Sequence, residues 1–371
     1  MTHILVAPDS FKDCLSSFEV ARLICERINE TQPGLKTTMF PMADGGEGTI
    51  DCVHFHKGGV WRKLTVHDPL NRKIESSYLI VDEGKTAIIE LAKASGLELL
   101  GTSERNALAT SSYGAGELVR DAVEMGIRKI ILALGGSATV DAGTGIAAAL
   151  GFRFYSKSGT LIAPCGANLT EIHAINAENI HPILHQVEFV VAADVQNTLN
   201  GPAGAARVFA PQKGAGSEGV AVLEKGLMHI SKLLEKATSF NPDLHPGTGA
   251  AGGAALFLMA YGNCKIEKGF DVIARLTGFY NAVSKADVII SGEGKIDVQT
   301  GYGKVLSSIA GIVKSEHKVL IALAGTIKGD RAEIIKKFGL QQLFVLDRFA
   351  TNRDDSIKNA AKYLKLINFE F

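Results

Sequence analysis

Two apolar strand candidates near opposite ends of this 371-residue chain each run straight into glycines that flank carboxylates. Residues 37–42 lead into Ala43-Asp-Gly-Gly-Glu-Gly-Thr49, and residues 286–290 lead into Ser291-Gly-Glu-Gly-Lys-Ile-Asp297. One such loop reads equally well as a solvated turn, because connections are polar and run over the surface. Two of them, each following a strand, read as halves of one site, since open α/β sheets bind ligands outside the carboxyl ends of their strands. That pairing constrains the fold. If both chain ends share one sheet, everything between them must be carried as an insertion. Clustered glycines let backbone approach a ligand and place N–H groups there, and the neighbouring carboxylates suit a divalent cation or a proton to be abstracted.

The rest of the chain agrees with this layout. Strand candidates fall at residues 4–7, 37–42, 287–290, 319–323 and 342–346, with amphipathic helix patterns at 16–29, 304–316 and 330–338. This is the βαβ rhythm of a parallel sheet covered on both faces. The middle differs. Residues 60–66, 76–81 and 86–91 read as consecutive antiparallel strands, with turns at Pro69-Leu-Asn71 and Glu83-Gly84. A helix at 115–125, a strand at 129–134, a helix at 145–150 and a strand at 188–193 follow. The expected architecture is α/β with two α/β domains. Residues 1–67 plus 284–371 form a Rossmann-like parallel-sheet domain, and residues 68–283 form an inserted mixed α/β domain, with the active site in the cleft between them.

Composition excludes several function classes. Basic and acidic residues number 39 each, so no polyanion-binding surface is expected and nucleic acid is not a partner. The five cysteines, at 14, 25, 52, 165 and 264, are widely spaced with no Cys-x-x-Cys. They indicate a reducing compartment with no disulfide framework or structural zinc. No stretch reads as a signal peptide and no apolar run is long enough to span a bilayer, so the expectation is a cytoplasmic protein without a membrane partner. Forty glycines exceed the average of roughly 7% and cluster in loops, which suits backbone-lined ligand sites.

The middle segment offers further chemistry. After the strand at 129–134 comes Gly135-Gly-Ser-Ala-Thr-Val-Asp-Ala-Gly-Thr-Gly145, then a helix. Backbone N–H groups, a positive helix end and the hydroxyls of Ser137 and Thr139 would make a phosphate cradle there. It is not a Walker A loop. The strand at 188–193 ends at Asp194, a place suited to a general base or metal ligand, although a lone Asp there is more often a helix cap. Phe209-Ala-Pro-Gln-Lys-Gly214 presents Lys213 on a rigid turn, where it can meet a carboxylate or phosphate. Gly247-Thr-Gly-Ala-Ala-Gly252 matches a dinucleotide fingerprint in form, with Asp271 about 20 residues on. The two prolines of Asn241-Pro-Asp-Leu-His-Pro246 make a poor strand before it, so it is read as a tight helix entry. His54 and His56 are read as structural.

Taken together, Ala7-Pro-Asp-Ser-Phe-Lys12, Pro41-Met-Ala-Asp-Gly-Gly-Glu-Gly-Thr49, Ser112-Tyr-Gly-Ala-Gly-Glu117 and Gly135-Gly-Ser-Ala-Thr139 resemble the bacterial class I glycerate kinases. So do Phe209-Ala-Pro-Gln-Lys-Gly-Ala215, Gly247-Thr-Gly-Ala-Ala-Gly-Gly253 and Ser291-Gly-Glu-Gly-Lys-Ile-Asp297 with Gln299-Thr300. The resemblance implies ATP-dependent phosphorylation of D-glycerate to 2-phosphoglycerate, in organic-acid (glycerate/glyoxylate) catabolism, by two α/β domains around a cleft. The chain departs from the family after Phe11, where Lys-Gly is usual and Lys12 is here followed by Asp13-Cys14, and at Val140 and Ala142, where Asn and Gly are usual.

Phosphoryl transfer asks for positioning and charge neutralisation, which assigns roles to these residues. Gly135, Gly136, Ser137 and Thr139 are expected on ATP phosphates. Asp194 is the preferred general base and Asp44 the second; Lys12 and Lys295 are catalytic cations for the γ-phosphate or the glycerate carboxylate. Asp9, Ser10, Glu47, Glu293 and Lys213 are expected to bind substrate, and Glu293 with Asp297 to hold Mg²⁺. A monomer or homodimer is expected. Two rivals are a nicotinamide-dependent dehydrogenase of a small 2-hydroxy acid, disfavoured by the missing strand before Gly247, and a non-catalytic solute-binding protein, disfavoured by the acidic loops.

Overall fold

Aliphatic runs at both chain ends pair into one sheet, and those in the middle pair into another. In the computed structural model, which describes residues 2–12, 14–297 and 305–371, two compact units result. The first comprises Met1–Asp44, Asp51–Lys57 and Gly269–Phe371; the second comprises Gly45–Ile50 and Gly58–Lys268. In chain order the strands are β1 His3–Val6, β2 Lys36–Met39, β3 Val60–His67, β4 Lys73–Val81, β5 Thr86–Glu90, β6 Lys129–Ala133 and β7 Arg153–Tyr155. Then come β8 Ala174–Asn176, β9 Glu188–Ala192, β10 Asn263–Glu267, β11 Val288–Asp297, β12 Val319–Lys328 and β13 Gln342–Val345.

The first unit holds a five-stranded, wholly parallel sheet in the order β13-β12-β11-β1-β2. Counting only its own strands, this is 5-4-3-1-2, the flavodoxin-like doubly wound order and not the six-stranded Rossmann order. Strand order reverses between β1 and β11, which makes that pair the topological switch point. Ile4, Val6, Val288, Ile290, Ile321 and Leu323 pack in its core against Val20, Ile24 and Ile28 of the helix Ser17–Thr31. That helix buries one stripe at three- and four-residue spacing. Its start is fixed by a capping box: Glu19 N–H donates to Ser16 Oγ (3.2 Å), and Ser16 N–H donates to Glu19 Oε2 (3.0 Å).

One expectation for this sheet is corrected. Residues 291–297, read from sequence as a loop, are strand. β11 and β12 stay in register from Val288 opposite Val319 to Asp297 opposite Lys328. The glycines serve close packing: a Cβ on Gly292 would lie 2.2 Å from the Leu323 carbonyl oxygen. Glycine in a strand interior commonly marks such an approach.

The second unit holds a six-stranded mixed sheet, β10-β9-β6-β5-β4-β3. β3, β4 and β5 form the antiparallel meander expected from the turns, while β5, β6, β9 and β10 run parallel. β7 and β8 form a separate two-stranded ribbon. Because β3 pairs with β4 along its whole length, it belongs to this unit. The chain crosses between the units at 44/45, 50/51, 57/58 and 268/269, where the sequence reading expects crossings at 67/68 and 283/284. Ile130, Leu132, Phe189 and Val191 anchor its core against Leu118, Val119 and Ile146. Among the described residues, no helix is long and apolar enough to cross a membrane.

Candidate active site

The acidic cluster of the first unit forms where β1 and β2 end, beside Glu293 in the middle of β11. Beyond β1 the chain stays hydrogen-bonded to its neighbours: Ala7 N–H donates to Ile290 O (2.7 Å), Asp9 N–H to Gly292 O (2.8 Å), and Met42 N–H to Pro8 O (2.9 Å). These ties carry Asp9, Asp44 and Glu293 to one edge of the sheet, at the switch point. Asp9 and Glu293 are buried and Asp44 is half-buried. Burial, followed by the negative charge of Asp44, pushes the Asp9 carboxyl well above the usual carboxylate range; Glu293 adds to this, while the Ser10 N–H bond (2.7 Å) and the Lys12 charge oppose it. A buried carboxyl raised by neighbouring carboxylates at a strand end is a common functional signature.

The other predicted members lie farther out. Lys12 and Lys295 are exposed on the same unit. Glu293 and Asp297 stand four residues apart on an extended strand, about 13 Å at the usual rise. Asp297 faces Lys328 (3.8 Å), so it and Glu293 do not come together around one small cation. Among the described residues, no group of three or more His, Cys, Asp or Glu side chains is arranged to hold a metal. Mg²⁺ does not need such a cage, because it takes one or two carboxylates and completes its shell with phosphate and water. Burial is the largest cause of the raised Asp9 carboxyl, and a cation beside Asp9 and Glu293 would relieve the part that the Asp44 and Glu293 charges add. Asp13, Gln299 and Thr300 lie outside the described residues.

The first glycine-acid loop is divided between the units, with Asp44 in the first and residues 45–50 in the second. Glu47 is exposed in the turn. Gly45 and Gly46 pack backbone to backbone on the loop after β6. Gly135 N–H donates to Gly45 O (3.3 Å), and a Cβ on Gly135 would lie 2.4 Å from Gly46 Cα. The loop is held on all sides: Leu97 N–H donates to Gly136 O (2.8 Å), Ala138 N–H to Ser95 O (2.9 Å), and Thr110 Oγ1 to Ala138 O (2.8 Å). Asp194 leaves the same sheet edge, since β6 and β9 are parallel neighbours with Ala133 opposite Ala192.

Two features of this loop differ from the expectation. The helix Thr144–Ala149 does not offer its N-terminus to a ligand. Fully buried Asp141 occupies it, accepting from Gly143 N–H (3.1 Å), Gly145 N–H (3.2 Å), Ser112 N–H (2.8 Å) and Ser112 Oγ (2.8 Å). Burial raises the Asp141 carboxyl despite these donors. Lys213, expected to meet substrate, is instead buried, and its Nζ donates to Ser137 Oγ (2.6 Å) and the Thr139 carbonyl (2.8 Å). Burial pushes its ammonium down to about 7, with Asp141 opposing.

Sequence reasoning passed over Glu90 and left Asp141 and Ser112 without roles. Glu90 ends β5, whose residues are buried throughout, and its Oε1 accepts from Ile50 N–H (2.8 Å) at the start of the helix Thr49–Lys57. A carboxylate closing an otherwise apolar run was the available signal. Gly247 is preceded by a 3₁₀ turn at Pro242–Leu244, and no strand leads into it, so the dinucleotide reading is not supported.

A model described as the glycerate kinase family matches residues 4–368. The chain belongs to the glycerate kinase family. It is 36% identical over 362 residues to the glycerate kinase of Bacillus subtilis (strain 168), covering 98% of this chain and 94% of that relative. It is also 36% identical over 357 residues to the glycerate 2-kinase of Escherichia coli (strain K12), covering 96% and 93%. A crystal structure assigned to a glycerate kinase 2 from Salmonella typhimurium LT2 superposes with a TM-score of 0.83 at 34% identity, covering 98% of this chain and 96% of that one. The resemblance carried by the sequence blocks thus extends across nearly the whole length of this family member.

Proposed function

We propose that this chain transfers the terminal phosphoryl group of ATP to the 2-hydroxyl of D-glycerate, in the cytoplasmic breakdown of glycerate. The observation that carries this reading is family membership over nearly the full chain. The acid cluster at the switch point adds support, because it lies where a doubly wound sheet takes its ligand.

In this reading Gly136, Ser137 and Thr139 engage nucleotide phosphates, and Gly135 shapes the loop. Asp9, Ser10 and Asp44 receive glycerate, with Lys12 and Lys295 as cations for its carboxylate or the γ-phosphate. Glu293 and Asp9 would hold Mg²⁺, which neutralises phosphate charge when bound. Asp194 is the first candidate for accepting the hydroxyl proton and Asp44 the second. Asp194→Asn is expected to lower kcat by about 10²–10⁴-fold with KM values little changed; near-normal turnover would remove it as base.

The assay combines purified protein, D-glycerate and MgATP. ADP should form only when glycerate is present. In the phosphorus NMR spectrum, a phosphate on the secondary carbon splits as a doublet, whereas one on the primary carbon splits as a triplet. No ADP above the glycerate-free control would sink the kinase reading, and a triplet would move the product to the 3-position.

A further inference from the structure

The strongest unexplained feature is a lysine buried beneath a loop of small residues. Lys213 follows Pro211 on a 3₁₀ turn ended by Gly214, whose φ is 90° and where a Cβ would lie 2.0 Å from the Arg105 carbonyl oxygen. This turn aims the lysine stem inward, and its Nζ reaches Ser137 Oγ and the Thr139 carbonyl.

The direction of these bonds has a chemical consequence. In its charged form Lys213 can only donate, so Ser137 Oγ then accepts from it. A hydroxyl that accepts on its oxygen retains its own proton for another acceptor, and the bond it accepts strengthens the one it gives. Nearby, Thr139 Oγ1 is buried with no protein hydrogen-bond partner among the described residues. The loop thus carries two hydroxyl groups with protons to give.

We propose that Lys213 is a positioning residue for phosphate binding: it directs the Ser137 hydroxyl proton toward an incoming phosphate oxygen and, through the Thr139 carbonyl, fixes the loop bearing both hydroxyls. This rests on the assignment of the 135–139 loop to nucleotide phosphates. It replaces direct contact between Lys213 and substrate. The depressed ammonium agrees with a cation held in a dry site, whose burial a bound anion would offset.

A double-mutant cycle tests this, using the full-length protein and KM for ATP and for glycerate. Lys213→Met and Ser137→Ala are each expected to raise KM for ATP about 10-fold or more, with KM for glycerate changing less than threefold. The double variant should be no worse than the poorer single, because both remove the same directed proton. Lys213→Gln keeps an N–H donor and should recover part of the loss, and it supplies the comparison if Lys213→Met does not fold. Additive effects, or a folded Lys213→Met with unchanged KM for ATP, would overturn the role of Lys213. If Ser137→Ala raises KM for glycerate alone, the nucleotide assignment of the loop falls instead; non-additivity in that constant would still establish that Lys213 acts through Ser137.

Discussion

Asp9 carries a stability cost that can be read through its proton. Its carboxyl is raised by burial and by Asp44 and Glu293, with Lys12 opposing. Between the ordinary carboxylate value of 3.8 and its raised folded value, the native state therefore binds more protons than the unfolded chain. Stability falls as pH rises through that window. Asp9→Asn is expected to flatten this slope and to raise stability at neutral pH by on the order of 1 kcal/mol, while lowering kcat/KM for glycerate by about 10-fold or more through the lost charged contact. Urea midpoints across pH, set beside turnover, separate the two effects. An Asn variant that is both less stable and fully active would refute a functional cluster. Lys213 shows the opposite slope. Its folded value of about 7 lies below the usual 10.5, so the unfolded chain binds more protons between those values and stability climbs with pH there. Lys213→Met should remove that climb; a retained slope would show that another group causes it. Neither shift was legible in sequence. Asp9 and Lys213 were visible as candidates, but their burial depends on partners far along the chain.

At the element scale, the glycines separate into two kinds that look alike in sequence. Those at 292 and 294 lie within a strand, although a run of glycines with acids reads locally as a turn. Their strand state depends on parallel pairing with β12 some thirty residues later, which no local pattern reports. Gly135 is a true loop glycine whose constraint is the neighbouring loop at Gly46. Gly135→Ala must push the two loops apart, since a Cβ–Cα separation of 2.4 Å is impossible between unbonded atoms. We expect a loss of about 1–3 kcal/mol together with a raised KM for ATP, measured by chemical denaturation and steady-state kinetics. An equally stable, equally active variant would mean that the two loops do not need to touch. The meander of β3, β4 and β5 was readable because its turns are marked by local residues.

At the scale of the whole molecule, the parallel rhythm of both chain ends was legible because apolar periodicity and loop chemistry repeat there. The strand order was not, since nothing local says that β1 lies between β2 and β11. That order gives the acid cluster its meaning, because it sets Asp9 and Glu293 at the point of reversal. The two units then make a separable prediction in hydrogen exchange. A ligand protects the backbone it orders, and it stabilises only the state that binds it. With MgADP, added protection should concentrate at residues 135–145 and around Asp194. With D-glycerate, it should concentrate at residues 7–12, 42–44 and 291–293. Protection by MgADP at the acid cluster without any at residues 135–145 would reverse the assignment of phosphates and substrate. The Ser137 and Lys213 variants should then lose the MgADP pattern while keeping the glycerate pattern, since the change lies in the loop that each of them touches.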